Sequence, residues 1–164
     1  MITTTLAFIT FVTYLICSLG VNKWEIPNSL SETFYIWKDI DTKLRLLFPV
    51  SMCLTAATLW IGWVEIMPIN WQWSAFVSVA GLIFVAFAPN FKDGGTEGKT
   101  HISSAIVSAV AAIIACVALS LWHLPILFGV MAICLYRDLK GGLTFWLEMA
   151  AFASIFAANF ISYL

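Results

Sequence analysis

Six stretches of this chain, 4–20, 46–66, 71–88, 102–121, 124–136 and 143–164, are almost wholly apolar, and the polar residues gather in the gaps between them. A helix needs roughly 20 apolar residues to cross about 30 Å of hydrocarbon. Five of the runs fall within the range seen for spanning helices, while 124–136 is short enough to fit a re-entrant or interfacial segment as well. The pattern predicts an all-α, polytopic transmembrane bundle of six helices, forming one domain over 1–164 with no soluble domain. Within the long first gap a short interfacial helix is expected over 29–37, capped by Asn28 or Ser29 with Glu32 reaching back.

The charges supply a topology. Lys23, Lys38, Lys43 and Arg45 occupy the first gap, Lys92 and Lys99 the third, and Arg137 and Lys140 the fifth, so every second gap holds cations and the others hold none. Positive loops stay on the cytoplasmic side. The rule therefore favours six crossings, because a fifth run that failed to cross would strand Arg137 and Lys140 on the opposite side. Both termini are then non-cytoplasmic, and a bacterial inner membrane is the expected location. Trp24, Trp37, Trp63, Trp71, Trp73, Trp122 and Trp146 fall near run ends, as expected of rings at the headgroup level. The N-terminal residues lack the positive region of a secretory signal, so the first run reads as a retained helix.

Composition narrows the class further. The chain is 62% apolar and 10% charged, with a net charge of −1; a basic footprint for nucleic acid is missing, and nucleic-acid binding is excluded. Cys17, Cys53, Cys116 and Cys134 all lie inside apolar runs without a CxxC pair, and read as small packing residues.

Small and polar residues recur at helical spacing within the runs. Ser51, Thr55, Thr58, Gly62 and Glu65 share one face, and so do His101, Ser104, Ser108, Ala111, Ala115 and Ala118. Ser74, Ser78 and Gly81 form a third stripe, and Thr144, Glu148, Ala151, Asn159 and Ser162 a fourth. Such stripes usually let helix backbones approach one another in lipid. Ionisable members shift that balance, since a carboxylate inside a membrane is costly and tends to face a bundle interior or a cavity. Glu148 lies about one turn inside the last run, and His101 opens the fourth on the same side; Glu65 lies at the other surface and reads as solvated.

The segment Asn90–His101 holds the densest chemistry. Gly98-Lys99-Thr100 mimics the end of a phosphate-binding loop, but Asp93 stands where the first glycine belongs and no strand precedes it. Asp93, Glu97 and His101 are four apart, yet Gly94, Gly95 and Gly98 argue for a loop. Only two histidines exist, on opposite sides of the membrane under this topology, so a zinc site is not expected and no cofactor is assigned. A hydrolase-like grouping of Ser29 or Ser31 with His101 and Asp93 or Glu148 is the catalytic alternative.

Ser31-Glu32-Thr33, with Pro27 upstream, resembles the Ile-Ser-(Asp/Glu)-Thr element of the DRAM/Frag/Sfk family, and His101 with Ser104 and Ala105 resembles its His-x-x-Gly-Ala element. Leu30 stands in place of the isoleucine, the proline is one place off, and Ser104 replaces the glycine. The resemblance spans about residues 20–110. It implies six helices and a role in remodelling lipid anchors or in lipid or autophagy regulation. It also implies an extracytoplasmic first loop, opposite to the charge rule. Seven-helix zinc hydrolases are similar only in bringing Ser, Asp and His to one face; the paired His-x-x-x-His helix is missing.

The functional expectation is a membrane protein that binds, and in one version processes, a lipid or other amphiphile. His101 and Glu148 are the candidate acid–base pair, and Ser29, Ser31, Glu32, Asp93 and Glu97 the candidate headgroup contacts. Membrane lipid is the expected partner. A rival class is a pore or permeabilising protein that works as a homo-oligomer, and a third is a structural subunit of a membrane complex.

Overall fold

The computed structural model describes residues 1–139 and 141–164, and of Asp93 the backbone alone. Lys140 and the Asp93 side chain, both named above, lie outside the described residues. The described chain is helical throughout: α1 (Ile2–Val21), α2 (Thr33–Ile40), α3 (Leu47–Ile66), α4 (Gln72–Phe87), α5 (Gly95–Ala118), α6 (His123–Asp138) and α7 (Leu143–Ser162), with 3-10 turns leading into α2, α3 and α4 and another before α5. Five of these helices, all but α2 and α6, belong to segments long and apolar enough to cross a membrane. The six expected runs each become a helix, but α6 has 16 residues. At about 1.5 Å per residue it is shorter than the hydrocarbon is thick.

Two boundaries correct the sequence reading. The loop expected through residue 101 ends much earlier, because α5 begins at Gly95. Gly94 and Gly95 adopt φ of +73° and +65°, a left-handed conformation that only glycine takes without strain. They complete the turn and release the chain into helix before Glu97. Two tryptophans also depart from the headgroup belt. Trp63 is fully buried and Trp37 nearly so, its indole N–H donating to Ser18 Oγ at 2.9 Å. Trp24, Trp71, Trp73 and Trp122 do face outward.

The core is apolar and joins three helices. Ala7, Phe11 and Tyr14 of α1 meet Phe48, Met52, Leu59 and Trp63 of α3 and Phe152, Ile155 and Phe156 of α7, with Phe11 and Phe152 stacked at 4.1 Å. Outward faces are equally apolar, for example Ile126, Leu127, Val130 and Ile133 on α6 and Ile102, Ile106 and Val110 on α5. Helices apolar all round belong in a large interior or in lipid. The cysteines divide the same way: Cys116 is buried, whereas Cys17 and Cys134 are exposed.

Small residues do set the helix contacts. A Cβ on Gly81 would come within 2.8 Å of the Ser104 carbonyl and 2.9 Å of Ser108 Cβ, and one on Gly62 would overlap Thr4 Oγ1. Those approaches lock α4 to α5 and α3 to α1. Ser108 Oγ adds a bond to the Ser78 carbonyl at 2.7 Å. By contrast α6 packs along α7 and barely touches α5, leaving space on the α5 side.

The connections after α1, α4 and α6 meet at one end of the bundle. Gly142 N–H donates to the Pro27 carbonyl at 3.2 Å and Phe145 N–H to the Asn28 carbonyl at 3.0 Å. Lys92 pairs with Glu32, and Lys92 N–H donates to Tyr35 Oη at 3.0 Å. At the other end, Tyr163 Oη donates to Glu65 at 2.8 Å.

Candidate functional site

The turn from Pro27 to Thr33 is built by its own side chains. Ser29 Oγ accepts from Glu32 N–H at 3.2 Å, while Glu32 Oε2 accepts from Asn28 N–H at 2.7 Å. Ser29 thus caps the turn, while Glu32 reaches one residue past the cap to Asn28, a variant of the expected capping box. Thr33 Oγ1 donates to the Leu30 carbonyl at 2.6 Å and contacts Tyr14 Oη, which fastens the turn to α1. Ser29, Glu32 and Lys92 thus hold the turn, and Ser31 is left pointing inward, 3% exposed.

His101 meets it from the first turns of α5. Its Nε2 lies 3.0 Å from Ser31 Oγ and its Nδ1 2.8 Å from the Ala88 carbonyl. A carbonyl can only accept, so Nδ1 carries the proton and Nε2 is the acceptor for the Ser31 hydroxyl. The Ala88 oxygen is free for this because α4 has just ended and its last carbonyls have no helical partner. Phe91 stacks on the imidazole at 4.6 Å and 23°, fixing the ring plane.

Glu148 reaches the same turn from α7: its Oε2 accepts from Leu30 N–H at 2.6 Å. Ser31 and Glu148 both line a cavity of about 300 Å³ enclosed by α3, α4, α5 and α7. Apart from Thr144, Ser78 and Ser108, its other walls are apolar, including Phe48, Met52, Val79, Leu82, Ala112 and Ile155. Ile106 and Leu147 are wall residues that are also exposed on the outer surface, so the cavity opens sideways between α5 and α7. A second cavity of about 230 Å³ lies between α5, α6 and α7, and Ala109, Ala112, Leu147, Ala151 and Ile155 wall both.

The expected residues therefore separate. Ser31 and Glu148 line the cavity, and His101 reaches the site through its bond to Ser31. His101 and Glu148 do not form the direct pair expected: His101 bonds Ser31 and Ala88, and Glu148 bonds Leu30 N–H. Glu97 is turned to a structural task, accepting from Asn90 N–H at 3.0 Å and from its side-chain amide at 3.2 Å. Glu32 is partly buried, which alone would raise its pKa, but the hydrogen bonds and charge of Lys92 together with the Asn28 donors outweigh that and hold it below the usual carboxylate value. Ionised and paired, it is a brace. Among the described residues no group of three His, Cys, Asp or Glu side chains converges as metal ligands.

Sequence reasoning missed the Ala88 carbonyl and Phe91. A backbone acceptor carries no residue signature, and Phe91 offered only its position ten residues before His101. Comparison of the chain with protein-family models, curated proteins and solved structures finds no match.

Proposed function

We propose that the chain is a six-helix integral membrane protein that binds a lipid or related amphiphile, with its acyl portion in the α3–α4–α5–α7 cavity and its polar portion against Ser31, Thr144 and Glu148. The observation that carries this reading is a cavity with apolar walls, polar groups at one end and a side opening between exposed apolar residues. Ligand sites are typically concave, mostly apolar and supplied with a few placed polar groups, in volumes from about 300 Å³ upward. From Thr144 to Ile155 the wall follows α7 for about 16 Å at the helical rise, roughly one leaflet of hydrocarbon.

Six crossings fit the meeting of the first, third and fifth connections at one end, since α6 must then return the chain to the end where α5 began. With the cationic residues on those three connections, that end is cytoplasmic by the charge rule, in a bacterial inner membrane. The resemblance around Ser31 and His101 implies a lipid-directed role too, with the opposite orientation of the first loop.

Native mass spectrometry of protein extracted in mild detergent tests the reading. One retained lipid per chain is expected, and Ala151→Phe, which places a ring into both cavities, should remove it while the protein stays folded. Lipid-free wild type, or equal retention by the variant, refutes the site.

A further inference from the structure

We propose that Ser31 and His101 are a nucleophile–base dyad that takes an acyl group from an ester lipid. This rests on the lipid-binding reading and names the chemistry of that site. The arrangement has three parts that a purely structural hydrogen bond does not require together. Ser31 lines a cavity whose α7 wall runs for about 16 Å at the helical rise. Its partner nitrogen is the unprotonated one, because the Ala88 carbonyl holds the proton on Nδ1. The ring is fixed by the Phe91 stack, so its Nε2 stays aimed at the hydroxyl. An activated serine needs this tautomer and orientation, and a third group that fixes them. Here a backbone carbonyl takes the place that a carboxylate fills elsewhere.

The chemistry balances without an outside oxidant, reductant or metal. Ser31 Oγ attacks the ester carbonyl carbon as its proton passes to His101 Nε2, and the carbonyl electron pair moves onto oxygen. Thr144 lines the same cavity, and its hydroxyl is the candidate donor for that oxyanion. Collapse of the tetrahedral intermediate breaks the bond to the alkoxy oxygen, which leaves as the alcohol with the proton from His101 Nε2. The acyl group is then an ester of Ser31. Water or a second alcohol enters through the same general base, giving a free acid or a transferred acyl ester and restoring Ser31. The substrate class is an O-acyl ester of a membrane lipid. Glu148 acts as a positioning residue, since its bond to Leu30 N–H holds the turn that presents Ser31.

The test is covalent labelling of the unaltered protein in nanodiscs with an alkyl fluorophosphonate, read by intact and peptide mass, beside native mass spectrometry of retained lipid. The expected result is one adduct per chain on Ser31. It should be lost in Ser31→Ala and slowed by at least ~10²-fold in His101→Gln, the usual contribution of a general base. Retained lipid without a Ser31 adduct overturns the dyad and leaves the binding reading standing. Adduct formation at an equal rate in His101→Gln also overturns it. A Ser31 adduct in protein that retains no lipid supports the dyad and refutes the binding site. Because the first measurement uses the unaltered chain, misfolding of a variant cannot imitate a negative.

Discussion

The Ser31–His101 contact joins the first connection to the start of α5, and a double-mutant cycle measures its worth. Ser31 and His101 are 3% and 5% exposed, so a polar atom left there without a partner is not rescued by bulk water. An orphaned buried donor or acceptor costs about 1–3 kcal/mol. Ser31→Ala orphans one atom, His101 Nε2, and at the lower bound destabilises by about 1 kcal/mol. His101→Phe keeps a ring on Phe91 but orphans two, the Ser31 hydroxyl and the Ala88 carbonyl, for about 2 kcal/mol by the same count. The double variant orphans only the Ala88 carbonyl, for about 1 kcal/mol. Adding Ser31→Ala to His101→Phe should thus restore about 1 kcal/mol, a coupling near −2 kcal/mol and within the range for residues in contact. Any cost of fitting the Phe ring is common to both His101 variants and cancels. Unfolding in mixed micelles with SDS, followed by tryptophan fluorescence, gives the four free energies, and the buried Trp37 on α2 reports this region. Additivity within about 0.5 kcal/mol would refute the reasoning, since it would mean that the two side chains do not share a buried bond.

Glycines offer a paired test of helix packing. Gly81→Ala gains about 1 kcal/mol of helix propensity, but meets Ser104 and Ser108 backbone atoms, and overpacking of about 1–3 kcal/mol should leave the protein less stable in the same assay. Gly129→Ala meets nothing within 4 Å and should be stabilising; equal effects would show that the α4–α5 approach is looser than described. Glu32 predicts an acid limb. Its pKa is lower folded than unfolded, so its stabilisation is full above the ordinary value of 4.5 and is lost as pH falls through the lower folded value. Lys92→Gln should shrink that loss, and an unchanged pH profile would remove the ion pair from the account. Glu148→Gln keeps an oxygen for Leu30 N–H and should be nearly as stable as wild type, whereas Glu148→Leu orphans that donor at about 1–3 kcal/mol. Melting curves that rank the two together would contradict the Leu30 contact.

The pattern of apolar runs determined the helices and the surroundings they suit, because helix formation and apolar solvation are local properties of a stretch of residues. It also located His101 and Glu148, since a polar group within or beside an apolar run is conspicuous, whereas Ser31, in the middle of the first gap, stood out only through the Ser31-Glu32-Thr33 motif and as one of two serines in the hydrolase-like grouping. The capping box at Ser29 and Glu32 was legible for the same local reason. Helix α5 was placed too late because glycines normally argue for loop, whereas Gly98 sits in helix with Phe91 folded close over it. Trp37 and Trp63 were misread because amphipathic rings near a run end suit either the headgroup level or a core, and only packing chooses. Which polar groups would pair was decided by tertiary structure. Ser31 and His101 are 70 residues apart, and Leu30 and Glu148 are 118 apart. Spacing along a chain says nothing about distance across it until the helices have packed. The cavity is the same case: Ala, Ser and Gly stripes serve tight contact and open space alike. Close approach closed the α4–α5 seam at Gly81, while the limited contact of α5 with α6 and α7 left the other side of α5 open.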